Sequence, residues 1–187
     1  MRRTRHIIAR RRPVFLGCEG ESERAYSQVL GDIVWQKIDS VHLEVMLLGE
    51  GAGSPLAKIH KAIKKIEDYE RKRSRFWKKA VLIDSDLIAQ NDNQGTDVER
   101  LAADHNIRVI WQRPCHEAFL LRHLPNCAQR RPPASALANS ALIAEWPGYQ
   151  KPMTRSQIAK MIDGGRIRQA TSVESELRSF LTDIEWQ

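Results

Sequence analysis

The run Val14-Phe15-Leu16-Gly17-Cys18-Glu19-Gly20-Glu21-Ser22-Glu23 passes from five largely apolar residues into an acidic turn. Val14–Cys18 has the length and aliphatic character of a buried strand. From Glu21 to Gln36 the apolar positions Ala25, Val29, Ile33 and Val34 recur at helical spacing. Gly20 permits a tight turn between the two elements, and Ser22 is placed to cap the helix. A strand that turns directly into a helix is the opening half of a strand–helix–strand crossover, from which α/β folds are built.

The alternation continues downstream. Leu43–Leu48, Ala80–Ile83 and Ile107–Trp111 are further short aliphatic runs. Between them, Leu56 to Arg73 carries Leu56, Ile59, Ile63, Ile66 and Tyr69 at helical spacing, and Asp97 to His105 is a shorter helix. Strands that alternate with helices pair in parallel through right-handed crossovers, with helices on both faces of the sheet, so a Rossmann-like core is expected. After Trp111 the pattern becomes helical. Cys115–Leu124 and Ser135–Trp146 read as helices on either side of a Pro- and Arg-containing loop. Thr154 and Gln157 form a capping box for a helix ending at Gly164 and Gly165. Thr171 and Glu174 repeat the device before Leu177, Leu181 and Ile184. The expectation is one α/β domain over residues 13–187, with a central, mainly parallel sheet of about four strands and a helical last third. A basic arm over residues 1–12 precedes it.

Composition narrows the class. Of 187 residues, 42% are hydrophobic and 28% charged, and no apolar run approaches the ~20 residues of a membrane span. The arginines before Pro13 are followed by an apolar run too short for a signal-peptide core, and the three cysteines are odd in number and irregular in spacing. A cytoplasmic protein with reduced thiols is expected. A net charge of +7 attracts polyanions, which makes nucleic acid the leading partner class. A basic surface that only maintains solubility is the plain alternative.

In open α/β sheets, ligands gather outside the carboxyl ends of the strands, and Glu19 stands at such a position. A carboxylate closing a buried strand is costly without a cation or a donor. Asp84-Ser85-Asp86 follows the third strand, and residues two apart in extended chain project to the same side. With strand order 2-1-3-4, the first and third strands are neighbours, so Glu19, Asp84 and Asp86 are expected to meet at the switch point. Carboxylates packed together repel, and a hard cation such as Mg²⁺ resolves the repulsion. Glu23 and Glu117 stand in first helical turns, where they join the cluster or serve the helix macrodipole. Cys115, His116, His123 and Cys127 invite a zinc reading, but their spacing matches no familiar finger and packing explains them more cheaply. Gly49–Pro55 is a Gly-rich loop without the Lys-Ser/Thr ending of a phosphate-binding loop.

Two basic features remain. Lys58, Lys61, Lys65 and Lys72 fall on one helical face, either solvated or tracking a phosphate backbone. Arg10, Arg11 and Arg12 end the arm, and an irregular basic arm is suited to following a groove.

Three blocks in this order resemble the RloB-like family, Toprim-like proteins associated with an ATPase partner in bacterial restriction or phage-defence loci. They are Phe15 to Glu23 with Tyr26, an EGxxE block; Leu82-Ile83-Asp84-Ser85-Asp86, a D-x-D block; and Pro114-Cys115-His116-Glu117 through Leu121 and His123. The resemblance covers about residues 12–185 and includes a Gly-Tyr-Gln-Lys element at Gly148–Lys151. The family's aromatic before the glutamate is His116 here, and its aromatic after the later histidine is Leu124. The resemblance implies Glu19 as general acid/base, Asp84 and Asp86 holding Mg²⁺ (with Mn²⁺ as substitute), and Glu23 and Glu117 completing a second metal position. It implies a metal-dependent nuclease acting on DNA or RNA in antiviral defence through abortive infection. The alternative is a noncatalytic nucleic-acid-binding or effector subunit of an ATPase-containing complex. The oligomeric state is open, a homo-oligomer included.

Overall fold

A computed structural model describes residues 11–49, 53–86, 88 and 92–186. Arg10 and the Glu50–Ala52 part of the Gly-rich loop therefore lie outside the described residues. Strand β1 (Arg12–Cys18) pairs in parallel with β2 (Val41–Leu47) on one side and β3 (Lys78–Asp84) on the other, and β3 pairs in parallel with β4 (Arg108–Gln112). The order is β2-β1-β3-β4, the one under which Glu19 and Asp84 leave neighbouring strands, and the pairing is parallel throughout, as the alternation of strands and helices implied. Val14, Phe15, Leu16, Ala80, Val81, Leu82 and Ile83 are fully buried because helices cover both faces of β1 and β3.

Helices α1 (Glu21–Lys37), α2 (Pro55–Lys72) and α3 (Asp92–Asp104) are the crossovers. One apolar layer joins Val14, Leu16 and Leu82 to Tyr26, Val29 and Leu30 of α1 and to the C-terminal helices. The other joins Phe15, Val81 and Ile83 to Ile59 and Ala62 of α2 and Val98 of α3. Gly17 keeps β1 close to its neighbours, since a Cβ there would lie 3.1 Å from side-chain atoms of Phe15, Leu48 and Val81. Ser54 accepts a hydrogen bond from the Ala57 amide and Pro55 stands in the first turn of α2, so the cap read from sequence is in place.

The helical third comprises α4 (His116–Leu121), α5 (Ser135–Glu145), α6 (Arg155–Ala159), α7 (Gly164–Thr171) and α8 (Ser175–Asp183). The Thr154/Gln157 capping box opens α6 as expected. Other boundaries differ from the sequence reading, each for a local reason. Gly164 and Gly165 open α7 instead of closing α6, because Asp163 caps that helix by accepting from the Arg166 amide. Thr171 ends α7 and caps nothing; Glu174 is the cap residue of α8, but its carboxylate is taken by Arg122. Ser22 makes no helix cap and instead accepts from the Met153 amide at 3.1 Å.

Arg12 is not part of an irregular arm. It opens β1, donates to Glu185 at 2.9 and 3.1 Å, and lays its guanidinium 4.0 Å from the Trp77 ring centre, which ties the first strand to the C-terminal residues. A second tie is internal. Arg122, 1% exposed, pairs with the buried Glu174 and donates to the Arg113 carbonyl at 3.1 Å. No helix among the described residues is long and apolar enough to cross a membrane.

Removing one partner of a buried ion pair strands the other charge. Arg122→Met is therefore expected to cost about 3–5 kcal/mol in denaturant unfolding, while Arg122→Met combined with Glu174→Leu recovers most of that loss. Equal stability of the single and double variants would contradict the pairing.

Candidate functional site

The carboxyl ends of β1 and β3 lie side by side, and the acidic residues sit where the chain leaves them. Glu19 follows β1 directly, and its Oε1 accepts from the Asp84 amide at 3.4 Å. Asp84 ends β3, and Asp86 follows two residues later, its Oδ2 accepting from the Ser135 hydroxyl at 2.9 Å. Glu23, in the first turn of α1, is 6% exposed, and its Oε2 would lie 2.9 Å from any Cβ placed on Gly20. Glu117, in the first turn of α4, accepts from the Tyr149 hydroxyl at 3.0 Å and pairs with Lys151.

Asp84 is the electrostatic centre of this group. Burial, followed by the charges of Glu23, Glu19, Asp86 and Glu117, pushes its carboxyl up to about 9. Its Oδ1 is buried and has no hydrogen-bond partner among the described residues. Burial also raises Glu19, against the opposing pull of Lys58. Glu117 moves the other way, because Lys151 outweighs the cost of its burial. The same burial, with the Glu117 charge, raises the Tyr149 phenol, which stays a hydrogen-bond donor. Beside the acids, burial raises the Cys18 thiol to about 12, so it is no nucleophile.

All five sequence-identified acids thus belong to one electrostatically coupled group. They do not form a finished coordination sphere, because Lys58 lies 3.2 Å from Glu19 Oε2 and Lys151 holds Glu117. Among the described residues, no group of three or more His, Cys, Asp or Glu side chains is placed to hold a metal ion as it stands. The donor chemistry nevertheless fits a hard divalent cation. The donors are carboxylate oxygens, and the most deeply perturbed of them, Asp84 Oδ1, is unpartnered.

The positions read as basic contacts separate into different roles. Lys61 and Lys65 are exposed on α2, as expected. Lys58 is not on the solvated stripe: it is 1% exposed, and its ammonium donates to the Gly49 carbonyl at 3.0 Å besides meeting Glu19. It lies on the buried side of α2 with Pro55, Ile59, Ala62 and Ile66. A lysine at helical spacing within an apolar stripe was the available signal, and the basic run obscured it. Lys151, Tyr149 and Ser135 also escaped residue-level reasoning: Ser135 opens α5, Tyr149 and Lys151 lie between α5 and α6, and only tertiary packing brings them to the site.

The Cys and His residues near α4 are packing elements. The Tyr26 hydroxyl lies 3.0 Å from His123 Nε2, and the Phe119 carbonyl lies 2.9 Å from Nδ1, so both ring nitrogens are engaged. Burial lowers His123 to about 3, which keeps it neutral. His116 is fully buried; the Gln112 amide lies 2.7 Å from its Nδ1, while its Nε2 has no partner among the described residues. Cys18, Cys115 and Cys127 are buried free thiols.

No protein-family model matches the chain, and no curated protein or solved structure matches it.

A carboxyl whose folded pKa lies above its ordinary 3.8 binds its proton more tightly folded than unfolded. Asp84 therefore subtracts stability progressively as pH rises from about 4 toward about 9. Asp84→Asn is expected to stabilise the metal-free protein at pH 8 by about 1–3 kcal/mol and to change it little at pH 4, as read by chemical denaturation. An equal effect at both pH values would mean that the Asp84 carboxyl is not perturbed.

Proposed function

We propose that the chain is a metal-dependent phosphodiester hydrolase acting on nucleic acid, of the Toprim-like kind that its sequence blocks resemble. The observation that carries the reading is Asp84: a buried, unpartnered carboxylate oxygen surrounded by four other acids at the carboxyl ends of adjacent parallel strands. Such an arrangement stores repulsion that a cation relieves. The net charge of +7 supplies the attraction for a polyanion that an acidic site alone would repel.

Asp84, Asp86 and Glu23 would hold Mg²⁺ or Mn²⁺, with Glu117 available for a second position once Lys151 is displaced. The ion supplies Lewis-acid charge neutralisation for the phosphodiester oxygens. The chain's own groups do the rest. Ser135 orients Asp86 by donating to Oδ2. Glu19, raised by burial and steadied by Lys58, accepts a proton from the attacking water and returns it to the leaving oxygen. Lys58 keeps Glu19 aimed at the rim of the sheet through its second anchor on Gly49.

The same two lysines favour a second reading. Lys58 on Glu19 and Lys151 on Glu117 neutralise two of the five acids without any metal, which suits a noncatalytic nucleic-acid-binding or effector subunit, for example one working with an ATPase. Cleavage of supercoiled, linear, single-stranded and RNA substrates by the full chain, in Mg²⁺ and in Mn²⁺, separates the two. The hydrolase reading expects Asp84→Asn to fall to background and Glu19→Gln to lose about 10²–10⁴-fold in rate. Salt-sensitive binding with no cleavage of any substrate, or equal cleavage by wild type and Asp84→Asn, gives the second reading the field.

A further inference from the structure

Away from the acidic cluster, α1 and the outer strand β2 enclose a groove of about 450 Å³, lined in part by Arg11, Gly31, Asp32, Trp35, His42 and Arg155. Trp35 is 38% exposed, one of the few large apolar side chains left in solvent, and the Arg11 guanidinium stands 4.9 Å from its ring centre. Arg155 donates to Asp32 at 2.6 and 2.9 Å, which fixes a guanidinium on the wall. Gly31 contributes no side chain, and Leu43 of β2 lies against it in the lining. The fixed charges are two arginines against one aspartate, a positive surplus within an already basic chain.

We infer that this groove binds single-stranded nucleic acid, with a base stacked on Trp35 and the flanking phosphates met by Arg11 and Arg155. Exposed indole and guanidinium planes are the groups on which unpaired bases stack, and a duplex keeps its bases out of reach of such a platform. An acidic peptide would use the arginines but has no need of the indole.

The inference deepens the hydrolase reading and rests on it for the direction of the strand. The acidic site is lined by Glu19 to Glu23 at the start of α1 and by Lys151 and Pro152; the groove is lined by the end of the same helix and by Arg155, shortly after Pro152. The helix from Glu21 to Trp35 spans about 21 Å at about 1.5 Å per residue. At about 3.4 Å per phosphate along a stacked strand, that separation is about six nucleotides, within the ~4–16 that single-strand grooves hold. Both sites therefore draw on the same two chain segments, the helix α1 and the stretch from Lys151 to Arg155.

The test is fluorescence anisotropy of the full chain with labelled oligothymidine and with a duplex of equal length, in EDTA so that binding is read without turnover. Trp35→Ala is expected to weaken single-strand binding about tenfold, Trp35→Phe to keep most of it, and both to leave duplex binding and the melting temperature unchanged. Absent single-strand binding by the wild type, an unaltered Kd for Trp35→Ala, or an equal loss on both substrates overturns the groove. The two proposals fail separately. A neutral Trp35→Ala leaves Asp84-dependent cleavage standing, and a cleavage-inert wild type leaves the Trp35 binding difference standing.

Discussion

Carboxylates gathered at the buried rim of a sheet repel one another, and positive charge must answer that repulsion. In this chain the constraint follows from one pairing. β1 lies beside β3, so Glu19 and Asp84 leave adjacent strands at the same end, and α1 and α4 bring Glu23 and Glu117 toward them. The protein answers part of the charge itself. Lys58 and Lys151 neutralise one flank each, and Ser135 and Tyr149 supply donors to Asp86 and Glu117. Asp84 Oδ1 is left with no partner among the described residues.

That oxygen, on a carboxyl that its neighbours' charges drive toward protonation, is what the rest of the architecture positions. Arg12 and Arg122 hold the first strand and the end of α4 to the C-terminal residues, and the Met153 amide donating to Ser22 fastens the segment that carries Tyr149 and Lys151 beside α1. Gly17 and Gly20 work at the other side of the site, one letting β1 approach its neighbours and the other leaving room for Glu23.

The fold was largely legible. Short aliphatic runs separated by helical spacing allowed the parallel order β2-β1-β3-β4 to be anticipated, and with it the meeting of Glu19 and Asp84. Those acids were legible because strand ends can be read from local pattern. The lysines were not. Lys58 was masked by a basic run, and its position on the apolar side of α2 became meaningful only with Glu19 across from it. Lys151 and Tyr149 depend on a loop whose path no periodicity describes. The helix boundaries after Gln150 shifted because side chains that resemble caps were engaged elsewhere, as Glu174 is by Arg122. Arg12 looked like part of a flexible arm until Trp77 and Glu185 supplied its partners.

The central claim is that a divalent cation takes the place now filled by a proton on Asp84. Isothermal titration calorimetry of the metal-free protein with Mg²⁺, near pH 7 and in buffers of different ionisation enthalpy, tests it directly. The account predicts saturable binding with release of about one proton per protein, because a carboxyl held near 9 must ionise to take the metal. Binding without proton release, or no binding at all, would contradict it.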